Sequence, residues 1–125
     1  MAKITHEFAL RFAREWVAAW NAHDMERILS HYTDDFEMSS PVIVDLMGEP
    51  SGTLKGKPAV REYWTKALAR LPDLHFDLID AYAGAGSVVI HYQGPRGPSA
   101  EAFWFDAAGK VYRAAAHYST RADRC

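Results

Sequence analysis

Between Phe8 and Asp24 (FALRFAREWVAAWNAHD) large apolar residues return every fourth position, at Phe8, Phe12, Trp16 and Trp20, with Ala9, Ala13 and Val17 beside them. That spacing predicts a helix with one aromatic face, and with Arg11, Arg14 and Glu15 turned outward. Thr5 is placed to cap it, Glu7 suits its positive end, and it stops near Asn21–His23. Asp24 then caps a short second helix through MERILSHY, with Ile28, Leu29 and Tyr32 on its inner side and Asp34–Asp35 closing it. FEMSSPVIV reads as a strand interrupted or ended at Pro41. Two glycines and a proline make Asp45–Lys55 a loop or short ribbon, long enough to act as a lid. Pro58 opens a third helix, PAVREYWTKALARL, whose apolar set is Val60, Tyr63, Trp64, Ala67, Leu68 and Leu71, and Pro72 ends it.

Beyond Pro72 the period changes to two. Leu74, Phe76 and Leu78 alternate with His75, Asp77 and Ile79; Ser87–Gln93 forms the next strand, and GPRGPS a turn. Glu101, Phe103 and Phe105 share one face of a third strand, AAGK is a hairpin turn, and Val111–Ser119 is the last strand. The order predicts an α+β fold in which three helices from the first half pack on the concave face of one curved antiparallel sheet. Parity also turns Glu101 toward the apolar side rather than toward water.

Composition narrows the function classes. The chain has 125 residues, enough for one domain spanning 1–125 with a single core. Lys and Arg number 14 against 16 Asp and Glu, for a net charge of −2 with both signs interspersed, so no basic patch points to nucleic acid. The single cysteine, Cys125, provides neither a disulfide framework nor a thiolate cluster. Residues 1–8 lack the apolar run of a signal peptide and nothing resembles a membrane span, so a cytoplasmic protein is expected. No nucleotide-binding glycine pattern, nucleophile elbow or metal-ligand spacing is present; no cofactor and no metal are expected.

Four motifs in fixed order carry a resemblance. They are Trp16–Asp24 (WVAAWNAHD), His31–Pro41 (HYTDDFE ending in SSP), Gly56–Trp64 (GKPAVREYW) and Phe103–Val111 (FWFDAAGKV). Together they resemble the nuclear transport factor 2-like superfamily, in its SnoaL-like and ketosteroid-isomerase-like branches. The resemblance implies a cone-shaped fold with a pocket between the curved sheet and the long first helix. It places Trp16, Trp20, Tyr32, Ser40, Tyr63, Val88, Ile90, Glu101, Phe103 and Tyr118 around that pocket. The fold hosts isomerases, cyclases, dehydratases, epoxide hydrolases and binding modules alike, so the site must decide the function.

A ketosteroid isomerase requires a carboxylate base, a tyrosine and a protonated carboxylic acid. Matched motif by motif, this chain carries Trp16 in place of the tyrosine, Ser40 in place of the base, and Glu101 in place of the acid, which argues against steroid isomerisation. Glu101 is the foremost catalytic candidate, because burial among aromatics raises a carboxyl pKa and makes it an acid or hydrogen-bond donor. The alternative is a rim glutamate bonded to Tyr32, Tyr63 or Tyr118. Tyr32 and Tyr63 are the assisting candidates; Trp16, Trp20, Ser40, Val88, Ile90, Phe103 and Tyr118 are ligand-binding candidates. His91 and His117 fall by parity on the opposite sheet face with Trp104 and small alanines, which suits a homodimer interface better than a metal site. The expected protein is a homodimer that binds a small apolar or aromatic molecule, with cofactor-free acid–base chemistry at Glu101. The rival is a non-catalytic binding or protein-interaction dimer.

Overall fold

A computed structural model describes residues 3–120. Helix α1 (His6–Asn21) starts where the Oγ1 of Thr5 accepts the Phe8 N–H at 3.0 Å, and it buries Phe12, Trp16 and Trp20 on one face. It ends at a joint in which His23 takes a left-handed conformation, φ 54°, with its ring Nε2 2.8 Å from the Leu74 carbonyl. Asn21 closes the same corner with two hydrogen bonds to the Phe76 backbone, at 2.9 and 2.7 Å. Asp24 caps α2 (Met25–Leu29) through the Arg27 N–H.

Helix α2 is shorter than the spacing predicts. Strand β1 (Tyr32–Ser39) begins at Tyr32, and Asp34–Asp35 lie within it, at an irregularity in the register. Tyr32 and Phe36 gain more from extended backbone, which packs their rings at a tilt 4.4 Å apart and brings the Tyr32 ring within 5.3 Å of Trp64. A second correction concerns Pro41–Val44, where the strand is expected to be interrupted or to end at Pro41 and no helix is expected. Pro41–Met47 is a helix, α3, so four helices are present among the described residues rather than three. The Oγ of Ser40 caps it by accepting the Val42 N–H at 3.1 Å, Pro41 suits its first turn, and Gly48 ends it at φ 67°. These terminal signals outweigh the strand preference of the β-branched Val42, Ile43 and Val44. The expected loop therefore shrinks to a turn before β2 (Thr53–Lys55). Helix α4 (Lys57–Arg70) buries Val60, Tyr63 and Trp64 as its spacing requires.

Strands β3 (Asp77–Ala83), β4 (Ser87–Gly94), β5 (Gly97–Phe105) and β6 (Val111–Tyr118) form an antiparallel meander. The six strands run β2-β1-β6-β5-β4-β3 in one curved sheet. The sheet is mixed, because β1 lies parallel to β6 while β2 folds back antiparallel on β1. Only Pro95 and Arg96 separate β4 from β5, so Pro98 and Ser99, expected in a turn, are strand residues. Val88, Ile90, Glu101 and Phe103 face inward under α1, and Trp16 meets Phe103 at 5.4 Å and Phe76 at 5.3 Å.

Candidate functional site

Glu101 reaches the concave face because β5 alternates; it is paired with Ile90 of β4 on one side and Ala116 of β6 on the other. It is only 5 % exposed, and its Oε1 accepts one long hydrogen bond, 3.4 Å, from the Tyr92 hydroxyl. Burial pushes its pKa up from 4.5 to about 8, against a smaller lowering by Tyr92. The carboxyl is therefore mostly protonated at neutral pH and able to donate.

A cavity of about 100 Å³ opens beside it. Trp16 and Trp20 of α1 form one wall; Tyr63, Trp64, Ala67 and Leu71 of α4 form another. Leu74 and Phe76, held by His23 and Asn21, close the side, and Tyr92, Ser99, Glu101 and Tyr118 line the sheet side. Met38 and Val42 complete the apolar lining, while Gly94, Pro95 and Arg96 form the mouth. A side chain at Gly94 would stand 3.2 Å from Tyr92 and 3.3 Å from Phe76, so the absence of one lets these rings pack at the opening. The volume is below the roughly 150 Å³ that admits one benzene ring. Leu71, Pro95 and Arg96 are the exposed residues of the lining.

The polar atoms converge on this space. The Tyr63 hydroxyl donates to the Ser40 Oγ at 3.4 Å, and the Tyr118 hydroxyl lies 3.5 Å from the same oxygen. Burial raises the hydroxyl pKa of Tyr63, Tyr92 and Tyr118, so all three stay neutral donors. Among the described residues, the indole N–H of Trp20 is the one buried side-chain polar atom without a partner. Its neighbour Trp16 is satisfied, donating to the Tyr32 hydroxyl at 3.1 Å.

Of the residues expected around the pocket, Trp16, Trp20, Tyr63, Glu101 and Tyr118 line it. Tyr32, Ser40, Val88, Ile90 and Phe103 do not. Phe103 is covered by Phe12 and Trp16, and Val88 and Ile90 are wholly buried in the core. The Tyr32 hydroxyl is turned to Trp16, and Ser40 sits one layer back, holding two tyrosines. Tyr92, Ser99, Arg96 and Phe76 were missed. Tyr92 shares the parity of Ile90 and was open to discovery on that ground; Arg96 and Ser99 lay in a segment expected as turn. On the outer face, His91 pairs across Ala100 with His117, and Arg113 stacks 4.8 Å from Trp104. His75 stands apart, its Nε2 3.2 Å from the Asp77 Oδ1. No group of three metal-ligating side chains and no helix long and apolar enough to cross a membrane occurs among the described residues.

The profile of the SnoaL-like domain matches residues 13–124. A SnoaL-like protein of unknown function from Burkholderia thailandensis is 54 % identical, with a TM-score of 0.90 over 94 % of this chain and 98 % of that one. SalBIII, an epoxide hydrolase/cyclase-like enzyme in pyran ring formation in the polyether salinomycin, has a TM-score of 0.70 at 16 % identity, covering 92 % of this chain and 93 % of its own. TerC, co-crystallised with polyporic acid, has a TM-score of 0.72 at 17 % identity, covering 93 % and 95 % respectively. These last two likenesses extend to the fold alone. No curated protein matches the chain significantly.

Proposed function

We propose, for a chain that belongs to the SnoaL-like family, that the aromatic pocket binds a small, largely apolar molecule and that Glu101 donates a proton to it without a cofactor. The observation that carries this reading is a buried carboxyl on a cavity wall, with its pKa raised to about 8 and one long hydrogen bond to hold it. Such a group is costly to retain in a core and is characteristic of functional sites. Glu101 would give its proton to a carbonyl, hydroxyl or epoxide oxygen of the ligand, and the resulting carboxylate would recover one from the ligand or from water. This is isomerase-, cyclase- or dehydratase-like chemistry. Tyr63 and Tyr92 would orient the same oxygen as neutral donors.

One feature favours a second reading, binding without turnover. Glu101 is the one acid on the cavity wall, and the position expected to carry a base is Ser40, occupied with capping α3. Glu101→Gln separates the two readings. It keeps a donor of the same shape but holds no transferable proton, so an enzyme loses turnover while a binding module keeps its ligand response. Turnover that survives the substitution removes Glu101 from the catalytic reading. We further propose that the outer sheet face pairs two copies, supported by the half-buried Trp104 beside Ala100, Ala102 and Ala115.

A further inference from the structure

We propose that the molecule held in the pocket carries an anionic oxygen group, of the carboxylate kind, that Arg96 binds at the mouth; this rests on the pocket reading above. The two-residue connection Pro95–Arg96, closed by the Gly94–Gly97 pair, sets Arg96 at the end of the hairpin where β4 and β5 border the cavity. Its guanidinium lies over the Tyr118 ring, 5.4 Å from the centroid. A guanidinium stacked on one face keeps its N–H edge free, in the fork geometry that matches a carboxylate.

Arg96 has no carboxylate partner within ion-pair distance among the described residues. Asp77, on the adjoining surface groove, is taken by His75 at 3.2 Å. The charge is nonetheless felt inside the cavity, where it lowers the hydroxyl pKa of Tyr63 and Tyr118 against the effect of burial. Glu101 is the one carboxyl and Arg96 the one cationic side chain on the lining. With Glu101 protonated, the interior offers no negative charge to repel an acid. The site therefore has a neutral donor inside, an aromatic middle and, at its opening, a cation with no carboxylate partner among the described residues. An aromatic or unsaturated acid with an oxygen at its far end fits that sequence of groups.

The test uses the full chain and two probes of one shape, 4-hydroxybenzoate and 4-hydroxybenzamide, titrated by the fluorescence of the lining tryptophans and by calorimetry. The benzoate is expected to bind roughly tenfold more tightly, the low end for a charge-assisted hydrogen bond at an exposed rim. Arg96→Gln should bring the two dissociation constants together. Should that variant fold poorly, raising the salt concentration on the wild type must narrow the same ratio. Equal affinities in the wild type, or a preference that survives both Arg96→Gln and salt, overturns the inference and leaves the pocket reading standing. Binding of neither probe removes the pocket reading, and the inference with it.

Discussion

Glu101 ties the pocket to stability in a way that solution measurements can separate. A glutamate in the unfolded chain titrates near 4.5, and burial raises the native value to about 8. Between these values the native protein keeps a proton that the unfolded chain has released, so stability falls as pH rises. Below pH 4.5 both states are protonated and Glu101 carries no penalty; above pH 8 the penalty is complete. At about 1.4 kcal/mol per pH unit this comes to about 3 kcal/mol at pH 7 and about 5 kcal/mol above pH 8. Glu101→Gln removes the titration while preserving shape, and any change in hydrogen bonding adds an offset independent of pH. The expected outcome is a variant whose advantage over the wild type grows steadily from pH 5 to pH 8 and then levels. In urea, with a slope of about 1–3 kcal/mol per molar, the pH 7 difference displaces the midpoint by about 1–3 M. Midpoints that stay parallel across the whole range, or a wild type that gains on the variant as pH rises, would refute the reasoning.

Other consequences are as direct. Tyr92→Phe removes the hydrogen bond that lowers the Glu101 pKa, so carboxyl titration followed by NMR should move upward; a downward shift sinks the assignment of Tyr92 as its donor. Ser40→Ala removes the cap of α3 and the acceptor for Tyr63, and should cost about 1–2 kcal/mol in chemical denaturation, with a change below 0.5 kcal/mol counting against the cap. Trp104→Arg, on the outer sheet face, should turn a dimer into a monomer in light scattering. A wild type that already scatters as a monomer ends the dimer proposal.

The elements legible in the sequence are those specified by local period. The four-residue aromatic spacing of α1, the apolar set of α4 and the alternation of β4 to β6 each follow from backbone geometry, which repeats every 3.6 or two residues whatever surrounds it, whereas the alternation expected from Leu74 meets a strand that begins only at Asp77. The inward aim of Glu101 follows from the same parity. Local signals compete at Ser40–Val44, where a serine cap, a proline and Gly48 seven positions after Pro41 outweigh a β-branched run. That competition was visible in the sequence but not its outcome. Tertiary contacts decided the rest. Tyr32 became strand rather than helix because its ring packs on Phe36 and Trp64, and β1 joined β6 in parallel, which no local pattern specifies. Parity names a face but not how far along it a cavity lies. That position depends on where α1 crosses the sheet, and the crossing buries Val88, Ile90 and Phe103 while leaving room beside Tyr92, Ser99 and Glu101. Arg96 came to the mouth for the same reason: a two-residue turn is a local feature, but the space it overlooks is made by distant parts of the chain.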